Sequence, residues 1–211
     1  MNDCDSLVFV VDDDDSVRRA LGRLIQSAGY RVQTFGSARE FLDAMRSVAS
    51  PACLILDVRL PDIDGLELQG ELKAALPIIF LTGHGNIAMT ARAMKAGATD
   101  FLTKPVNDTD LLRAVGAALE RAAQTHAVRC QLDAIRLRVE RLTPREREVM
   151  MLVVRGLLNK QVAEELGTAE KTIKAHRARV MAKMEVTSLA QLVRLADRAG
   201  FGGAAELYAL R

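Results

Sequence analysis

A chain of 211 residues with 49% hydrophobic content has enough apolar material for two small folded domains. Its net charge of +2, from 29 basic and 27 acidic side chains, excludes a uniformly basic nucleic-acid coat. Three cysteines (Cys4, Cys53, Cys130) without CxxC spacing exclude a disulfide framework or structural zinc site. The absence of a signal peptide or an apolar run of about 18 residues predicts a cytoplasmic protein with no membrane partner.

In chain order, short β-type runs alternate with helical stretches. Strands are predicted at Leu7 to Val11, Arg31 to Phe35, Cys53 to Leu56, Ile78 to Leu81 and Asp100 to Leu102. Helices are predicted at Val17 to Ala28, Ala38 to Met45, Leu66 to Ala74, Ile87 to Ala96 and from Thr109 onward. Ser37 with Glu40 reads as a capping box, Asn86 as the fourth helix's cap, and Asn107 or Asp108 as the fifth's. The third and fourth strands are continuously apolar, as strands buried on both faces should be. Five β-α units of this kind imply an α/β doubly wound parallel five-stranded sheet with helices on either side.

Beyond Thr109 the pattern is wholly helical. Val128, Leu132, Ile135, Val139 and Leu142 form a short a/d seam on a charged segment without Gly or Pro, so the fifth helix is expected to run on as a helical linker. "LTPRE" then begins a new unit: Thr143 caps, Pro144 takes the first turn and Glu146 closes a capping box. Further helices follow at Pro144 to Arg155, Lys160 to Leu166, Glu170 to Met184 and Ser188 to Ala199, with Gly156 and Gly167 in the turns. A short helix, a Gly turn and a longer basic helix make a helix-turn-helix within an all-α four-helix domain. The expected division is 1–120, a linker at 121–141, and 142–211. Acids cluster in the first part and Arg and Lys between Arg129 and Arg198, which suggests a cation or phosphate site in one half and a polyanion partner for the other.

"VVDDDDS" sets four consecutive acids, Asp12 to Asp15, behind the first strand. Such charge is tolerated in a solvated turn, at a helix cap or around a cation. In a doubly wound sheet of order 2-1-3-4-5, ligands bind where the loops after strands one and three diverge. Asp12 and Asp13 end strand one, Asp57 ends strand three, Thr82 and Gly83 close strand four, and Lys104 follows strand five. Three convergent carboxylates suit Mg²⁺. With the metal and Lys104 neutralising phosphoryl oxygens, Asp57 can act as a nucleophile and form an acyl phosphate. Taken singly, Lys104 reads equally as a surface lysine before a turn proline, and Thr82 as a strand-end hydroxyl.

These residues, Asp12-Asp13, Asp57 in "LDVRLPDIDG", Thr82 in "LTGHG" and Lys104-Pro105 with Phe101 before them, resemble the receiver domains of two-component response regulators, which have a flavodoxin-like fold. The resemblance implies that Asp57 accepts phosphate from a sensor histidine kinase. It also implies that Asp12, Asp13, Asp57 and the carbonyl of Arg59 hold Mg²⁺, that Lys104 and Thr82 contact the phosphoryl group, and that Phe101 switches position with Thr82. Asp14 and Asp15 are assigned to capping and solvation. Two departures stand out: Val106 replaces the aromatic usual after Lys-Pro, and the segment before "LPIIFLTG" is short.

On the helix from Glu170, Ile173, Val180 and Met184 share a side that should pack inward, while Lys171, Lys174, Ala175, Ala178 and Arg179 spread around the other. A basic face with small residues suits the major groove. "LTPREREV", "GLLNKQVAEELG" and "KTIKAHRARVMAKM" resemble the LuxR-type DNA-binding domain, and the whole chain is similar to the FixJ branch of the NarL family. By that resemblance Lys174, Ala175 and Ala178 read bases, and Lys171, Thr172, His176 and Arg179 meet phosphates; His176 reads equally as a packed, hydrogen-bonded residue. Ala169 stands where a capping Ser or Thr is common, a loss of about 1 kcal/mol unless Thr168 substitutes. The expected partners are a sensor kinase, promoter DNA, RNA polymerase and a second copy of the chain once phosphorylated. Two alternatives are a small phosphatase or phosphotransferase using Asp57, against which no DxDxT-type second acid follows it, and a DNA binder indifferent to phosphorylation.

Overall fold

The computed structural model describes residues 6–45, 50–72, 76–83 and 87–201. They fall into two compact units that divide between Ala127 and Val128. The expected end of the third helix at Ala74 and the Asn86 cap lie outside the described residues.

In the first unit, five parallel strands lie in the order β2-β1-β3-β4-β5: β1 (Leu7–Val11), β2 (Arg31–Phe35), β3 (Ala52–Asp57), β4 (Ile78–Thr82) and β5 (Asp100–Thr103). Between and after them run α1 (Asp15–Ser27), α2 (Ala38–Met45), α3 (Gly65–Leu72), α4 (Ile87–Lys95) and α5 (Asp108–Glu140). Because side chains alternate along a strand, each central strand feeds two cores. Phe9, Val11, Leu54, Leu56 and Phe80 face one side and pack with Phe41, Leu68 and Ala93 of α2, α3 and α4. Val8, Val10, Cys53, Ile55 and Leu81 face the other and meet Leu21 and Ile25 of α1 and Leu111, Val115 and Ala118 of α5. Every residue of β1, β3 and β4 is buried, whereas β2, at the sheet edge, is half exposed.

Local chemistry sets the helix starts. Asp14 accepts from the N–H groups of Ser16 and Val17, so α1 begins two residues before the apolar pattern does. Asp15 pairs with the largely covered Arg18 and, in water, with Arg19. Asn107 caps α5. The Ser37–Glu40 box is altered: Ser37 Oγ accepts from Glu40 N–H, but Glu40 reaches the N–H of Gly36, and the first N–H groups of α2 go to Asp62 from the β3–α3 loop.

The second unit is helical: the end of α5, then α6 (Pro144–Val154), α7 (Asn159–Glu165), α8 (Glu170–Lys183) and α9 (Leu189–Arg198). Thr143 and Glu146 form the expected reciprocal box at α6. Ser188 Oγ accepts from Gln191 N–H, but Gln191 Oε1 turns to Thr187. At α8 no side chain caps, so Thr168 does not replace the group missing at Ala169. Gly167, between α7 and α8, sits at φ +60°, a left-handed turn that glycine adopts without penalty.

The a/d seam has a different use from the one its spacing suggests. Ile135, Val139 and Leu142 are buried with Val149, Val153, Ile173, Val180 and Met184 in the second unit's own core, while Val128 is 53% exposed. The same apolar stripe serves a helix pair between chains or a contact within one, and here α6 and α8 offer the nearer partner. No helix among the described residues is long and apolar enough to cross a membrane.

Candidate functional site

At the carboxyl ends of β1 and β3 the chain leaves the sheet in diverging directions. Asp12, one residue past β1, is 1% exposed and Asp57, the last of β3, is 8% exposed; Asp13 lies beside them in water. Oxygen atoms of the three carboxylates lie within 4.8 Å of one another. Lys104, from the β5–α5 connection, donates through Nζ to Asp12 Oδ2 at 2.6 Å and also to Asp57 Oδ2. Its main-chain N–H donates to Thr82 O at 2.7 Å, tying the connection to the end of β4. The second oxygens are also engaged: Asp57 Oδ1 accepts from Arg59 N–H and Asp12 Oδ1 from Asp14 N–H, both at 3.0 Å. The carboxylates are thereby fixed in orientation.

Burial pushes the Asp12 carboxyl up against the opposing pull of Lys104, its hydrogen bonds and charge, and the neighbouring Asp57 pushes the same way. For Lys104, burial pulls downward, but the hydrogen bonds and charges of Asp12 and Asp57 outweigh it and the ammonium is held above the usual lysine value. Two buried carboxylates and a third at the rim, against one ammonium, leave net negative charge that a hard cation would relieve. An oxygen-only donor set of this closeness fits Mg²⁺.

Thr82 is 2% exposed at the end of β4, and Phe101 on β5 is half-buried, with its ring centroid 6.0 Å from that of Phe80. Arg59 is exposed in the loop after Asp57. The structure thus brings together Asp12, Asp13, Asp57 and Lys104, with Thr82 and the Arg59 main chain at the same edge. Val106, in place of an aromatic, lines a cavity of about 620 Å³ with Val17, Leu21, Leu24 and Pro105.

Gly65 was not singled out from the sequence, yet it shapes this loop. A Cβ there would stand 2.6 Å from the carbonyl oxygen of Asp57 and 3.0 Å from the Cα of Val58, so only glycine permits α3 to start against the residue that carries the carboxylate. The "DG" pair was the available signal, and Asp64 beside it caps α3 by accepting from Leu66 N–H.

On α8 the buried residues are Ile173 and Val180, followed by Met184 at its end. Lys171, Thr172, Lys174, Ala175, Ala178 and Arg179 are exposed. Lys174 Nζ lies 3.0 Å from Glu170, an exposed pair of little intrinsic strength. His176 is half-buried, and its Nδ1 is enclosed without a hydrogen-bond partner among the described residues. Arg177, not among the expected contacts, donates instead to Asn159 Oδ1 of α7 at 3.0 Å and ties the two helices of the motif together.

Residues 8–116 match the response regulator receiver domain, and residues 140–196 match the bacterial regulatory proteins of the luxR family. Nodulation protein W of Bradyrhizobium diazoefficiens is 51% identical over 199 residues, 92% of this chain and 87% of that protein. Response regulator protein TmoT of Ectopseudomonas mendocina is 45% identical, covering 94% of this chain and 91% of its own length. For transcriptional regulatory protein FixJ of B. diazoefficiens the figures are 42%, 92% and 95%. Among solved structures, response regulator StyR matches with a TM-score of 0.80 at 46% identity over 92% of this chain and 99% of that one. Full-length FixJ from B. japonicum matches at 0.54, with 42% identity over 92% and 97%. The chain belongs to the NarL/FixJ family of response regulators, transcription regulators that join a receiver domain to a LuxR-type DNA-binding domain.

Proposed function

We infer that Asp57 accepts a phosphoryl group from a sensor histidine kinase and that this controls promoter binding through α8. The observation that carries the reading is the Lys104 ammonium shared between Asp12 and Asp57, beside a third carboxylate, at the receiver's sheet edge. In the transfer, a carboxylate oxygen of Asp57 attacks phosphorus, the P–N bond of the phosphohistidine breaks, and its electron pair stays with the imidazole nitrogen. Asp12, Asp13, Asp57 and the carbonyl of Arg59 would hold Mg²⁺, which when bound offsets negative charge as the phosphoryl group approaches. Lys104 supplies a fixed positive charge to a phosphoryl oxygen, and Thr82 a hydroxyl. Arg59 N–H orients the nucleophilic carboxylate. The chain's only chemistry is then its own phosphorylation and dephosphorylation. At promoter DNA, Lys174, Ala175 and Ala178 read base edges and Lys171, Thr172, His176 and Arg179 meet phosphates. RNA polymerase is the downstream partner.

Acetyl phosphate with Mg²⁺ should label the protein at one acyl-phosphate site, and Asp57→Asn should abolish the label while circular dichroism remains native. Labelling of that variant at the same site would remove Asp57 from the role.

A further inference from the structure

Arg18, besides its pairing with Asp15, reaches back to the loop that carries Asp12 and Asp13. It sits in the first turn of α1, and its side chain, only 18% exposed, folds back over the β1–α1 loop. Nη1 donates to the carbonyl oxygens of Asp12 at 2.7 Å and Asp13 at 2.9 Å, and Nη2 donates to Asp15 Oδ1 at 2.9 Å. One guanidinium thus bridges the main chain of both adjacent acids. Its seat is shaped from the other side by Gly36, at the end of β2, where a Cβ would lie 3.6 Å from Nη1 and 3.7 Å from Cζ.

A carbonyl that leaves a strand needs a donor, and two acids aimed at a third repel one another. The cheapest relief of that repulsion is rotation of the loop backbone, which would swing the exposed Asp13 carboxylate away from Asp12 and Asp57, whose oxygens now lie within 4.8 Å of its own. The planar guanidinium opposes this by holding both carbonyls at once in a fixed fork, which an ammonium does not reproduce. We propose that Arg18 is a positioning residue for the Asp12–Asp13 pair: it clamps their main-chain carbonyls so that both carboxylates stay turned toward Asp57 and bind a divalent cation together. The proposal rests on the Mg²⁺ reading of the cluster.

Calorimetric titration of the full chain with Mg²⁺ tests it, alongside thermal melting in EDTA. Residues that orient metal ligands are typically worth about 10–100-fold in metal affinity, and Arg18→Met should lose that much while remaining folded at the titration temperature. Arg18→Lys should stay weak despite its restored charge. Gly36→Leu, which keeps Arg18 but adds a bulky side chain whose Cβ would already touch the guanidinium, should weaken Mg²⁺ binding without adding or removing any charge. Wild-type affinity in Arg18→Met overturns the clamp, and so does full rescue by lysine. If Arg18→Met fails to fold, the lysine and Gly36→Leu variants decide the matter by the same titration. A wild-type chain that binds no Mg²⁺ would instead sink the cluster reading, and the clamp with it.

Discussion

Asp12 and Asp13 are neighbours in the chain and opposites in environment, one 1% exposed and the other in water. Alternation at the strand's end aims the first at the core and leaves the second at the rim, so the pair combines a preoriented ligand with an accessible one. Glu146 is the second unit's counterpart of Asp12, a buried acid, 3% exposed, but here the partners win. The 2.6 Å hydrogen bond from Lys183, then the Thr143 N–H, hold its carboxyl below the usual glutamate range. A depressed folded-state value means that the stabilisation is present above the ordinary glutamate value of about pH 4.3 and is lost as pH falls through the lowered one. Denaturant melts between pH 6 and about pH 3 should therefore show the second unit weakening with acid below about pH 4.3. Lys183→Met should flatten that slope, and an unchanged slope would deny the pairing its role.

Among the elements, α8 and α5 carry the sharpest expectations. Lys174→Ala removes an exposed cation paired with Glu170, so operator binding should fall. In competition assays the loss is confined to the operator if the side chain reads a base edge, and is equal for all sequences if it meets phosphate. For α5, a fragment starting at Val128 keeps Ile135, Val139 and the Arg138–Glu185 pair at 2.8 Å, whereas one starting at Leu142 loses them. Two buried aliphatic side chains are worth on the order of 3–5 kcal/mol, so the shorter fragment should melt markedly lower. That outcome would extend the stable unit around the DNA-binding helices upstream of residue 142, as the burial of Ile135 and Val139 suggests. β1, β3 and β4 were legible in the sequence because burial on both faces leaves no polar interruptions before the strand ends, and the start of α6 because its cap is local. The partners of Ile135 and Val139, the Lys183–Glu146 pair and the Gly65 contact join residues distant in sequence or fixed only by loop shape, which periodicity does not encode. The site carboxylates were legible through the sheet order, which converts strand ends into neighbours.

For the molecule as a whole, phosphorylation in one unit has to reach DNA binding in the other. Met94 at 44% and Ile87 at 91% exposure on α4 would offer apolar contacts to a second copy. Because part of the expected seam is spent inside the second unit, dimerisation should depend on the receiver more than on α5. Sedimentation should show a monomer that becomes a dimer on addition of a beryllofluoride phosphoryl mimic, and the dimer should bind paired half-sites with two-fold symmetry. A monomer that gains operator affinity without changing mass would rule this out.

The shared hydrogen bonds of Lys104 make that side chain an internal counterion, a competitor of any metal that approaches the same oxygens. Were Mg²⁺ to take the Asp12, Asp13 and Asp57 oxygens, it would compete with the ammonium for them, and a partly released Lys104 would be free to meet an incoming anion. On that footing the apparent metal affinity would lie below the intrinsic one, and a loaded receiver would have its lysine at liberty. Lys104→Met should bind Mg²⁺ more tightly in calorimetry than the wild type while accepting phosphate more slowly, the two properties moving in opposite directions; equal or weaker Mg²⁺ binding would show that no exchange takes place.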